Sequence, residues 1–85
     1  MKLNPAIVFR DDFGDDAVLF NPDDGRVLGL NRTGCLIWNC LAKNMERSGI
    51  LAELRKACGD TVPDSLESDV DAFLDELRSR GYLLD

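Results

Sequence analysis

The 85-residue chain contains no histidine. That removes the side chain that most often serves as general base and metal ligand near neutral pH. The chain also has no P-loop, no G-x-G-x-x-G run and no serine set in a nucleophile elbow. Phosphate cradling by a Gly-rich loop and acyl transfer from an activated serine therefore have no foothold, and no enzymatic activity is expected. No apolar run approaches the roughly 20 residues that span a bilayer. Met1 to Pro5 lacks the apolar segment of a signal peptide, so a cytoplasmic location is expected. Cysteine is sparse and odd in number: Cys35, Cys40 and Cys58. Three thiols without a secretion signal do not make a disulfide framework. The C-x4-C spacing, with no histidine to complete a ligand set, does not fit a zinc site. The expectation is three reduced packing residues and no cofactor or metal.

Charge of one sign dominates. Sixteen acidic residues face ten basic ones, for a formal charge of −6. A phosphate backbone is repelled by such a surface on average. Arg26, Arg32, Lys43, Arg47, Arg55 and Lys56 lie scattered among acids rather than along a basic stripe. Nucleic acid is thus an unfavoured partner, and a neutral or basic one fits better. The acidic runs Asp11-Asp12, Asp15-Asp16 and Asp23-Asp24-Gly25 lack the spacing of a calcium loop and read as solvated turns.

At 45% hydrophobic and 31% charged, the composition is that of a globular domain. The length allows one domain, residues 1–85, with a thin core. Residues 6–10, 17–20 and 26–30 carry strand signals. Asn21-Pro22-Asp23-Asp24-Gly25 is a hairpin loop, with Pro22 presetting φ and Gly25 free to take a positive one. A first helix is expected over about 32–42. A second, over 49–58, would be capped by Ser48 and striped by Ile50, Leu51, Leu54, Ala57 and Cys58. Gly59 would terminate it. A third begins at Asp64-Ser65-Leu66-Glu67, which has the form of a capping box with Asp in the first position. Leu66, Val70, Phe73, Leu74 and Leu77 form its apolar stripe, and Gly81 follows its end. Tyr82-Leu83-Leu84 should fold back onto the core. Three antiparallel strands followed by three helices make an α+β fold. Leu36, Ile37, Cys40 and Leu41 recur at helical spacing in the first helix, and Trp38 beside them is expected in the core.

The junction between strand and helix is the most distinctive stretch. Leu30-Asn31-Arg32-Thr33-Gly34-Cys35-Leu36-Ile37-Trp38 passes from strand to helix with almost no linker, and both Asn31 and Thr33 are able to cap. This segment resembles the L-N-x-T-G-x-x-I-W pattern of the PqqD-like family of RiPP recognition elements. The likeness extends over roughly residues 6–84 through the turn before the strand, the long last helix and Arg80-Gly81-Tyr82-Leu83-Leu84. It implies a winged-helix-like arrangement and a role as a peptide chaperone. Such a domain holds the leader of a ribosomally made precursor peptide while a partner enzyme, of radical-SAM or leader-protease type, modifies the core.

In a simple meander the third strand keeps one unpaired edge, and Val27-Leu28-Gly29-Leu30 bears neither charge nor proline to blunt it. From the residues alone the edge is covered by a helix, by the C-terminal tail, by a second copy in a homodimer, or by an added peptide strand. The resemblance favours the peptide. It implies a groove between Arg26, Val27, Leu28, Gly29 and Leu30 and one edge of the third helix. That edge is Asp69, Phe73, Glu76 and Arg80, or else the opposite one, Glu67, Asp71, Leu74 and Arg78. The edge bearing Phe73 is expected to face the strand. The rival readings are a winged-helix DNA-binding or regulatory domain and a structural dimerisation module.

Overall fold

In the computed structural model, residues 2–13 and 16–84 are described. Three strands precede three helices. These are β1 (Val8–Phe13), β2 (Asp16–Asn21), β3 (Arg26–Leu30), α1 (Arg32–Ala42), α2 (Arg47–Cys58) and α3 (Leu66–Ser79). The strands form one antiparallel sheet in the order β1-β2-β3. The α+β architecture expected from the sequence is the one observed.

Strand β2 is central, and its alternation sets the two faces of the sheet. Ala17, Leu19 and Asn21 are buried, while Asp16 is exposed and Val18 and Phe20 are half-buried. Alternate residues on a strand point to opposite faces. The register pairs Leu19 with Leu28 and Ala17 with Leu30 on the inner face. On the outer face it aligns Val8, Phe20 and Val27 across all three strands. The turn between β2 and β3 closes as its residue types suggest. Gly25 takes φ +72°, and its N–H donates to the Asn21 carbonyl at 2.8 Å. Asn21 is buried, and its side-chain oxygen accepts the Asp23 N–H at 3.0 Å. Strand β1 runs later than the sequence indicates, over 8–13 rather than 6–10. An irregularity between Arg10 and Phe13 keeps it paired into the stretch expected to turn. Gly14 and Asp15 lie outside the described residues.

The passage from β3 to α1 takes a single residue. The Asn31 side chain accepts the Gly34 N–H at 2.9 Å, which satisfies one of the orphan donors of the first turn. Gly34 lets that turn sit close on the strand, because an added Cβ would come within 3.2 Å of Leu30 Cδ2. Helix α1 lies against β2 and β3, α2 against α1, and α3 against α2. Ile37, Trp38, Leu41, Ile50, Leu54, Val70, Leu74 and Leu77 join Leu19 in one buried cluster. Trp38 is 5% exposed.

Two helix starts differ from the capping read in the sequence. Helix α2 begins at Arg47 with Glu46 as its cap residue, and Ser48 falls inside the first turn. Met45 and Ile50 then occupy the N′ and N4 positions of a hydrophobic staple, and Met45 is packed against the core. That apolar contact outweighs a hydroxyl cap. In helix α3 the cap position falls at Ser65, not Asp64, and its side chain makes no capping bond. Glu67, the partner that a box would need, is drawn instead to Arg47 at 3.3 Å and Arg55 at 3.7 Å. The Ser65 hydroxyl donates to Asp69 at 2.9 Å. Ala57 also departs from its expected place. Burial on α2 ends one turn earlier, at Leu54, and Ala57 faces solvent.

The chain ends meet. Gly81, at φ +78°, turns the chain out of α3, and Tyr82 and Leu83 return into the core. Leu84, by contrast, is 53% exposed. The Tyr82 N–H donates to the Leu77 carbonyl at 2.9 Å, Asn4 N–H to the Tyr82 carbonyl at 3.0 Å, and Leu84 N–H to the Lys2 carbonyl at 2.8 Å. Across the helices Arg47 grips Asp71 with a two-pronged contact, 2.7 Å from Nε and 3.1 Å from Nη2.

Three stability outcomes follow from this packing. Trp38→Ala should destabilise by about 3–5 kcal/mol, as large core truncations do, measured by chemical denaturation. Tyr82→Phe should leave the melting temperature unchanged or raise it. The Tyr82 hydroxyl is buried without a partner among the described residues, and an unpaired buried hydroxyl is a net penalty. The Arg47 hydrogen bond holds the Asp71 carboxyl below its ordinary value. A group so lowered adds stability above the unfolded value of about 3.9 and loses it as pH falls through the folded one. Arg47→Gln should therefore melt below the wild type at neutral pH, and the gap should close in acid.

Candidate functional site

Strand β3 pairs with β2 alone, so among the described strands its other edge is open. Beside that edge lies a groove of about 650 Å³, within the size range of binding clefts. Its wall on one side is Leu28, Gly29 and Leu30, continued by Asn31, Thr33, Gly34 and Ile37 at the start of α1. The other side is Leu66, Asp69, Val70, Phe73 and Glu76 of α3, with Leu54, Cys58 and Pro63 closing the far end. Gly29 has no side chain and contributes bare backbone to this wall, at a position that alternates with the inward Leu28 and Leu30.

The helical repeat explains the α3 wall. Residues 66, 69, 73 and 76 advance by three or four, and that spacing sets side chains above one another on one face. Phe73 is half-buried and forms the middle of this wall. The opposite edge of α3 is otherwise engaged. Leu74 is buried, and Glu67 and Asp71 are bound by Arg47. Of the nine residues named from the sequence, Leu28, Gly29, Leu30, Asp69, Phe73 and Glu76 come together around the groove. Arg26, Val27 and Arg80 do not line it. Arg26 sits at the hairpin end, 3.9 Å from Asp24. Val27 points to the outer face and is 56% exposed. Arg80 caps α3 and pairs with Glu76 at 3.0 Å.

Sequence reasoning missed Leu66, Val70, Ile37, Leu54 and Cys58 as groove residues. Each lies on an apolar stripe, and such a stripe reads as core-facing. The signal for Leu66 was present in its seven-residue spacing from Phe73. Nothing in the sequence marks Pro63, which reaches the groove from the loop between α2 and α3.

The chemistry on offer is a hydrogen-bonding strand edge, an apolar floor and a wall with two carboxylates. No group of three or more metal-ligating side chains occurs among the described residues. Burial pushes the Cys35 thiol up, helped by Asp16 and Asp11. Burial likewise raises Cys40, with Glu53 adding to it. Both are held as thiols, the poorly nucleophilic form. No helix among the described residues is long and apolar enough to cross a membrane.

Comparison with known proteins bears on the fold and the family. No curated protein matches the chain. The solved structure of TbiB1 in complex with the TbiA(beta) leader peptide is similar, with a TM-score of 0.83 and 26% identity. The alignment covers 99% of this chain and 95% of that one. The family model of coenzyme PQQ synthesis protein D matches residues 16–83. With well over half of its length matched, including every strand from β2 onward and all three helices, the chain belongs to the PqqD family.

Proposed function

We propose that the protein binds the leader of a ribosomally made precursor peptide as a fourth strand on the open edge of β3. The observation that carries this reading is the union of that edge with an adjoining apolar groove. Backbone pairing supplies affinity that tolerates changes of sequence, and the groove supplies side-chain selection. The likeness to TbiB1, whose solved structure holds a leader peptide, supports the same assignment.

The mechanism is presentation. A disordered leader orders on binding, which offsets part of the gain. The tethered core peptide is then delivered at raised effective concentration to a modifying enzyme, of radical-SAM or protease type. The domain itself acts as a peptide chaperone rather than a catalyst. A DNA-binding reading loses support from α2, whose Arg47 and Arg55 are committed to carboxylates of α3.

The test first seeks a short reading frame beside this protein's gene, and then uses a synthetic peptide covering the leader half of its product. Affinity on the order of 10⁻⁷ to 10⁻⁵ M is expected for one added strand. Amides of residues 26–30 should gain protection from exchange, and resonances around Phe73 should shift. Phe73→Ala should weaken binding about tenfold while the protein stays folded. Leu28→Pro should abolish binding, with circular dichroism as the folding control. Shifts confined to α2 with residues 26–30 unaffected would show that the edge is not the site. Light scattering over a range of concentrations separates peptide capture from self-pairing of the same edge into a homodimer.

A further inference from the structure

The groove is chemically lopsided. Its floor is aliphatic and aromatic, and the charged residues in its lining are Asp69 and Glu76, both on α3. These two carboxylates are in different situations. Glu76 is neutralised by Arg80, whose guanidinium lies 3.0 Å from it. Asp69 accepts the Ser65 hydroxyl at 2.9 Å and has no cation partner among the described residues. Arg47 and Arg55 bind the carboxylates on the other edge of α3, Asp71 and Glu67.

We propose that Asp69 is a specificity-determining residue, selecting leaders that carry a lysine or arginine beside the apolar residue they bury. This rests on the leader-capture reading above. A cationic side chain whose head reaches Asp69 lies against Leu66 on one side of the carboxylate or Phe73 on the other. Its methylene stem gains apolar contact while its charged head stays at the rim in water. A leader carboxylate in the same place meets Asp69 without any compensating cation, so the position discriminates by repulsion as well as attraction. The net charge of −6 adds a long-range pull on cationic leaders. Because Asp69 is exposed, the preference is modest and salt-dependent.

The experiment is a display selection of random 15-residue peptides on the wild-type chain, on Asp69→Asn and on Asp69→Lys. Peptides from the wild-type selection should carry Lys or Arg at a fixed distance from an apolar position. The Asn variant should lose that enrichment, and the Lys variant should replace it with Asp or Glu. Asn keeps an acceptor for Ser65, and thermal melts confirm that both variants are folded. For one selected peptide, changing its basic residue to Gln should weaken binding to the wild type by about three- to fivefold, the upper part of the range of an exposed ion pair. Binding to Asp69→Asn should change by less than about twofold, and high salt should shrink the wild-type difference. Selected peptides that protect residues 26–30 yet show no basic enrichment would overturn this inference and leave leader capture standing. The same enrichment on all three proteins would do likewise. If no selected peptide protects residues 26–30, both fall together.

Discussion

The one-residue junction at Asn31 is the constraint on which the site depends. With β3 ending at Leu30 and α1 beginning at Arg32, the helix has no slack to wander over the strand edge. The cap from Asn31 to Gly34 sets its direction, and the missing side chain of Gly34 sets its distance from Leu30. Helix α1 is thereby laid against the inner face of the sheet. Helix α2 packs on α1, and α3 packs on α2. The third helix arrives opposite β3 but separated from it by the groove. A looser connection would let a helix cover the edge, which is the usual fate of an uncharged edge strand.

Keeping an apolar groove beside an open edge carries a hazard, since two copies of such an edge could pair. Asp69 stands along the groove and puts an unneutralised charge beside that edge without adding one to the stretch from Val27 to Leu30. The polar contacts elsewhere hold the groove walls in place. Arg47 bridges the first turn of α2 to Asp71 and Glu67, fixing α3 from the side away from the groove.

Much of the fold was legible because its signals are local. The bounds of β3 and α1 follow from the Asn-Pro-Asp-Asp-Gly turn and the strand-to-helix switch, and the structure places them where the sequence does. The left-handed glycines at 25, 59 and 81 were legible for the same reason. What was misread depends on distant partners. Ser48 and Asp64 look like caps until Met45 finds the core and Glu67 finds Arg47. The first strand was placed early because its irregular pairing with β2 is not written in its own residues. For the candidate site, Phe73 and its neighbours at 69 and 76 follow from helical spacing. The floor does not, because a sequence stripe cannot distinguish a side chain facing the core from one facing a recess in it.

The meeting of the chain ends bears on how the molecule comes together. The hairpin β2–β3 and the successive helix contacts join residues near in sequence, and such contacts form quickly. The bridge between Leu3 and Leu83 instead closes a loop of nearly the whole chain. Its closure entropy is repaid only when the rest is already compact. The strap of residues 2–4 against 81–84 should therefore close after the hairpin and helix contacts have formed. Because each end supplies the other's hydrogen-bond partners, the two ends should loosen as a single unit, and trimming either one should free both.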